Sequence, residues 1–103
     1  MNRDEKFMDE ALKEARVALS EGCSPFGAVL VKNEEVRFRA HNTTRKNNDP
    51  TAHAELSLIR KACKELKGKS LKGYTLYTTA EPCAMCMGHV FLPRLKILYM
   101  VFL

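Results

Sequence analysis

No run in this sequence of 103 residues is long and apolar enough to span a bilayer. The charged start Met1-Asn2-Arg3-Asp4-Glu5-Lys6 has no apolar signal region behind it. Neither a membrane span nor a secretory leader is expected, so we read a cytoplasmic protein. Cysteine is scarce as well. Four cysteines could frame a small secreted domain with disulfides. Without a leader, and with two of the four in Cys83-Ala84-Met85-Cys86 behind Pro82, metal binding is the expectation instead. A block of one charge sign is also missing. The net charge of +5 and pI near 9.2 favour a polyanionic partner, but Lys and Arg are spread along the chain, so charge alone selects none. What is present is ordinary for a globular protein, with 46% apolar and 28% charged residues, which argues against disorder and a fibrous class. The length allows a single domain over residues 1–103, with one core and room for one site.

From Asn2 to Leu19, apolar Phe7, Met8, Ala11, Leu12, Ala15, Ala18 and Leu19 recur at three and four, which predicts a helix with one buried face. Asn2 can cap it with Glu5 reaching back, and Gly22 can end it. Pro25 and Gly27 bracket the entry to an apolar strand, Phe26 to Val31. Asn33-Glu34-Glu35 makes a turn, and Val36, Phe38 and Ala40 alternate with Arg37 and Arg39 in a returning strand. A hairpin results. The loop Asn42 to Asp49 has no periodicity and leads to Asp49-Pro50, where Asp suits a helix cap and Pro a first helical position. The helix that follows should carry Leu56, Ile59, Ala62, Cys63 and Leu66 inward and Arg60, Lys61, Lys64 and Lys67 outward, with Gly68 as its stop. Tyr74 to Thr79 reads as a strand, Pro82 opens a short helix that Pro93 closes, and Lys96 to Phe102 is a last apolar strand. Strand, helix, strand, helix, strand after the hairpin predicts crossovers and a sheet that is parallel in this half.

The chemistry gathers on two stretches. One imidazole, His53, and two thiols, Cys83 and Cys86, supply three ligands for a tetrahedral zinc and leave a fourth position for water, as a catalytic site requires. Glu55, two residues from His53, can reach that water without binding the metal, so it can take a proton and deliver it to a substrate. His-x-Glu followed by Pro-Cys-x-x-Cys is the pattern of zinc nucleobase deaminases. Open α/β sheets place their sites at the carboxyl ends of the strands, where helix beginnings meet, so ligands distant in sequence can converge there. The positive ends of both helices favour thiolate forms of Cys83 and Cys86.

Pro25-Phe26-Gly27-Ala28-Val29, Asn42, Asp49-Pro50-Thr51-Ala52-His53-Ala54-Glu55 and Glu81-Pro82-Cys83-Ala84-Met85-Cys86 together resemble the cytidine-deaminase-like superfamily. The branch they resemble most holds guanine deaminase, the tRNA adenosine deaminases and the fungal-type cytosine deaminases. The resemblance implies an α/β fold, a three-layer α-β-α sheet with a hairpin followed by parallel strands. It also implies zinc at His53, Cys83 and Cys86, proton transfer by Glu55, and substrate contacts from Asn42, Phe26 and Ala54. Phe26, with Asn48 before Asp49, is more like guanine deaminase, which implies guanine to xanthine plus ammonia. tRNA adenosine and cytosine are the alternatives. Members of the family usually continue through further carboxyl-terminal elements that cover the substrate, sometimes across a homodimer. This sequence stops after its fourth strand.

Plainer readings stand beside these. Cys23 and Cys63 are packed thiols, His41 is a structural histidine at a strand end, and His89 is packed or exposed. Met85, Met87 and Met100 fill core, and Glu81 caps or orients its helix. The basic stretch Arg60 to Lys72 would suit an RNA backbone, although surface lysines are more often a solvated face. Two rivals are of another class: a closed structural zinc site completed by Cys23, and an inactive zinc-binding or partner-binding subunit.

Overall fold

The computed structural model describes residues 2–79 and 96–99. Helix α1, Arg3–Ser20, starts as predicted: the Asn2 side chain accepts from the Glu5 N–H at 2.8 Å, and Glu5 accepts from the Asn2 amide at 3.2 Å. Its buried stripe is Phe7, Met8, Ala11, Ala15 and Ala18. Leu19, expected inside, is exposed, because it lies a hundred degrees around the helix from Ala18 and off that stripe. Gly22, at φ 79, takes the left-handed position beyond the helix end.

Strands β1, Gly27–Lys32, and β2, Glu35–His41, form the expected hairpin. Its turn is tighter than read: Asn33 and Glu34 alone, both at positive φ, make the connection, and Glu35 already pairs with Lys32. An irregularity between Leu30 and Val31 leaves Arg37 unopposed. β2 lies at one edge of a four-stranded sheet ordered β2-β1-β3-β4, where β3 is Thr75–Thr78 and β4 is Lys96–Tyr99.

The parallel expectation holds for the β3–β4 ladder, but β3 pairs with β1 antiparallel. The connection through α2, Ala54–Leu66, passes over β1, so β2 and β3 run in one direction without touching.

Successive side chains of β1 point to opposite faces and recruit one helix each. Val29 and Val31 pack with Phe7, Met8 and Tyr77 under α1. Ala28 and Leu30 pack with Leu58, Ile59, Ala62 and Leu76 under α2. These are the three α-β-α layers. At Gly27 the backbone of α1 lies directly against the sheet. A Cβ there would lie against the Ala11 carbonyl oxygen and 2.5 Å from the Ala15 nitrogen.

Helix α2 begins later than its sequence suggests. His53 is its N-cap, while Asp49 closes a turn of its own by accepting from the Thr51 N–H at 2.9 Å and the Thr51 hydroxyl at 2.7 Å. The amino-terminal half of α2 is embedded: Ala54, Glu55, Leu56, Leu58 and Ile59 are buried, Leu58 among them although its place in the pattern did not mark it. Leu66, expected inside, is 46% exposed. The stop also differs, since Lys67 takes the left-handed conformation at φ 54 while the Gly68 N–H returns to the Cys63 carbonyl at 3.1 Å. No helix among the described residues is long and apolar enough to cross a membrane. The Pro82–Pro93 helix, Glu81, Met85, Met87, His89 and the last strand beyond Tyr99 lie outside the described residues.

Candidate active site

A cavity of about 810 Å³ opens at the sheet edge where β2 ends and β1 begins. Three hydrogen bonds tie that edge together. The Asn42 N–H donates to the Phe26 carbonyl at 2.9 Å, the Thr79 N–H to the Gly27 carbonyl at 3.1 Å, and the Gly27 N–H to the Thr79 hydroxyl at 3.1 Å. Residues just outside the strands, Phe26 and Asn42, are thereby held at the mouth rather than in the core.

Phe26, Asn42, His53 and Glu55 all line this one cavity. Phe26 is 41% exposed, so a ring is available as a stacking face for a planar heterocycle. Asn42 is buried, and its Oδ1 accepts from the Thr44 N–H at 3.1 Å and the Thr44 hydroxyl at 2.9 Å. With the oxygen so engaged, the NH₂ group is what the side chain can offer a ligand. Glu55 is buried in the first turn of α2, where a carboxylate is favoured by the helix dipole. Burial pushes its carboxyl above the ordinary range, against the pull of its own backbone N–H and of His53. A carboxyl so placed can hold a proton between two transfers.

Ala54 is placed differently. Its side chain is fully buried in the core beneath α2. Only its backbone N–H, one of the first donors of the helix and without an intrahelical partner, is suited to a ligand. Among the described residues no three His, Cys, Asp or Glu side chains converge as a metal set. Of the expected zinc ligands only His53 is described, and Cys83 and Cys86 lie outside. An imidazole at the cavity with a buried carboxyl two residues on is a donor set that suits zinc and its water. Cys23 is buried and Cys63 half-buried against the core under α2, as packed thiols are. His41 lies between Glu14 at 3.1 Å and Glu21 at 2.7 Å, a structural position between α1 and β2.

The rest of the wall comes from the loop without periodicity, Thr44, Arg45, Asn48, Asp49 and Pro50, together with Ser24. The loop is internally bonded. The Thr43 N–H donates to the Ala52 carbonyl at 3.0 Å and the Asp49 N–H to the Thr44 carbonyl at 2.9 Å. It is strapped to the end of α1 by Arg45 on the Gly22 carbonyl at 3.3 Å and Lys46 on Glu21 at 3.0 Å. Lys46, and after it His41, hold the Glu21 carboxyl below its ordinary range. Local signals for this loop exist, in Asn48 at φ 52 and in the Asp49-x-Thr51 turn.

Residues 1–102 match the cytidine and deoxycytidylate deaminase zinc-binding region. The chain belongs to this family. Zinc is thus the metal of its fold. Within the family the chain is 49% identical over 96 residues to a tRNA-specific adenosine deaminase of Bacillus subtilis, covering 93% of this chain and 60% of the relative. It is 42% identical over 96 residues to the guanine deaminase of Bacillus subtilis, covering 92% and 62%. Among solved structures, a transfer-RNA wobble-position deaminase superposes with a TM-score of 0.89 at 44% identity, covering 94% of this chain and 75% of that one. The Bacillus subtilis guanine deaminase gives 0.88 at 41%, covering 99% and 64%. The chain therefore spans about 60% of the length of the first of these curated relatives.

Proposed function

We propose that this deaminase-family chain performs zinc-dependent hydrolytic deamination of a purine base, with guanine as its first substrate and xanthine and ammonia as products. The observation that carries this is the meeting of Phe26, Asn42, His53 and Glu55 in one cavity, side chains able to stack, to hydrogen-bond, to bind metal and to carry a proton. In this proposal His53, Cys83 and Cys86 hold zinc, which when bound makes water acidic enough to ionise near neutral pH.

The chain's own residues do the rest. Phe26 stacks on the base, the Asn42 amide donates to its polar edge, and the Ala54 N–H steadies it at the start of α2. Glu55 takes a proton from the attacking water and delivers it to a ring nitrogen. It then takes the remaining proton from the newly added hydroxyl and passes it to the amine as the C–N bond breaks, so ammonia leaves and oxygen stays on the ring as a carbonyl. Burial of Glu55 suits this double duty, since it raises the carboxyl's hold on a proton.

Three relatives named tRNA-specific adenosine deaminases, at 45 to 49% identity, favour a second reading with adenosine in RNA as substrate. Cytosine is a third substrate of the same apparatus. Assembly as a homodimer belongs to the proposal too, and sedimentation would test it.

Ammonia release by the zinc-loaded protein from guanine, from cytosine and from an adenosine-bearing tRNA anticodon loop ranks the substrates. Guanine should release most. Release from the tRNA loop alone would shift the conclusion to the second reading, and silence on all three with zinc bound would leave a binding subunit. Glu55→Gln should keep its zinc and lose turnover. Retained turnover would remove Glu55 from the mechanism.

A further inference from the structure

The last turn of α1 contains no basic residue and its C-cap, Glu21, is an acid, although the negative end of a helix dipole favours a cation. The cations come from elsewhere in the chain. Glu10, Glu14 and Glu21 follow one another at four and seven residues, one turn and two turns on, so they form a single acidic stripe. Arg39 and His41, two apart on β2, project to the same side of the sheet and meet that stripe. Arg39 lies 3.3 Å from Glu10 and 3.6 Å from Glu14. The His41 ring spans the next interval, with Nδ1 3.1 Å from Glu14 and Nε2 2.7 Å from Glu21. Lys46 takes the second oxygen of Glu21 at 3.0 Å, and Arg45 donates to the Gly22 carbonyl at 3.3 Å. Of the other elements packed against β2, β1 sets Gly27 opposite His41, and α2 sends Lys61 to the Arg39 carbonyl at 3.5 Å.

One member of this ladder differs in kind. Arginine and lysine keep their charge through the neutral range, and histidine is the side chain that changes its own there. A neutral imidazole has one N–H. It can donate to one carboxylate only, and its other nitrogen then turns a lone pair toward the second. Both contacts of His41 are hydrogen bonds when the ring carries two protons and a positive charge. Glu21, which Lys46 and then His41 hold below its ordinary range, stays an acceptor throughout.

What the ring fastens is the cavity wall. Asn42 follows it directly, and Arg45, Asn48, Asp49 and Pro50 line the cavity from the loop that Lys46 and Arg45 tie to the end of α1. Loss of the second proton leaves two carboxylates sharing one neutral ring. It also returns to Glu21 the rotamer freedom that the bond to His41 removes, so Lys46 and the loop lose a fixed anchor.

We propose that His41 is a positioning residue for the cavity: as an imidazolium bridging Glu14 and Glu21 it straps the wall loop 43–52 to α1, and the strap loosens as rising pH removes the second proton. The effect on a substrate rests on the function proposed above, and the strap itself rests on these contacts.

Ring ¹⁵N chemical shifts and amide hydrogen exchange between about pH 6 and 9, corrected for the intrinsic rate, read the strap without turnover. Near pH 6 both His41 nitrogens should be protonated. Protection of the Thr44 and Asp49 amides, which bond inside the loop, should fall about threefold to tenfold by pH 9. It should stay level in His41→Gln, which has no proton to lose, and in Glu21→Gln, which lacks the shared carboxylate. Circular dichroism shows which variants are folded, and either one suffices. With zinc bound, KM for guanine in the parent relative to a variant should rise by a similar factor over that range, while kcat moves alike in both. The proposal is overturned if His41 holds one proton near pH 6, if protection in the parent stays level, or if it falls equally in the variants. It is also overturned if KM stays level while protection falls. Absence of turnover with zinc bound would count against the deaminase reading instead, and the exchange rates alone would then decide the strap.

Discussion

The backbone N–H of Asn42 donates to the carbonyl of Phe26 at 2.9 Å, joining the residue that leaves β2 to the residue that enters β1 at the wall of the cavity. The two residues are separated in sequence by the whole hairpin. Because the hairpin register pairs Gly27 with His41, the next step outward on each strand must bring them face to face. The cavity is thus a consequence of hairpin register as much as of any one side chain.

Asn42 also holds the loop that follows it. Asn42→Ala removes the acceptor for both the Thr44 N–H and the Thr44 hydroxyl and leaves a part-buried amide without a partner. We expect a loss of about 1–3 kcal/mol in urea unfolding, with faster hydrogen exchange at Thr44 and reduced turnover.

Gly27 sits under the backbone of α1. A methyl group there meets the Ala11 carbonyl oxygen and the Ala15 nitrogen, neither of which can rotate away, so Gly27→Ala must push the helix off the sheet. The expected cost is about 1–3 kcal/mol or more. The chemical shifts of Phe7 and Met8 should move with it, and an unchanged unfolding midpoint would mean that α1 does not lie so close.

Lys67 holds a left-handed backbone conformation that a side chain disfavours by about 1–2 kcal/mol. Lys67→Gly relieves this at the cost of a looser unfolded chain, for a net gain of about 0.5–1 kcal/mol.

Tyr77 donates its hydroxyl to Asp4 at 2.6 Å, and burial, followed by that carboxylate, pushes the phenol up to about 12. A group whose folded value lies above its unfolded value of about 10 stabilises the fold fully below that pH. The contribution is lost as pH rises toward 12. Unfolding free energy should therefore fall between about pH 10 and 12, with phenolate absorbance appearing late. Tyr77→Phe should flatten that fall and cost about 1 kcal/mol at neutral pH.

The helical stripes of α1 and α2, the alternation in β2 and the Asn2 cap were legible in the sequence because each is a repeat of local geometry that a few neighbouring residues dictate. Leu19 and Leu66 were not, since a helix period marks a face but not how far the neighbouring layer extends along it. Asp49-Pro50 looked like a helix start on local preference alone. Asp49 bonds forward to Thr51 in a turn instead, and the helix waits for His53.

The sequence by itself determined the family, because His-x-Glu followed by a spaced pair of cysteines is a chemical specification that hardly depends on neighbours. Only the tertiary structure decided that β1 would lie between β2 and β3 and that the loop 43–52 would fold back as a wall of the cavity. Each of these is a matter of which distant segments share a contact. Such contacts follow from the mutual burial of faces, and no window of adjacent residues contains them.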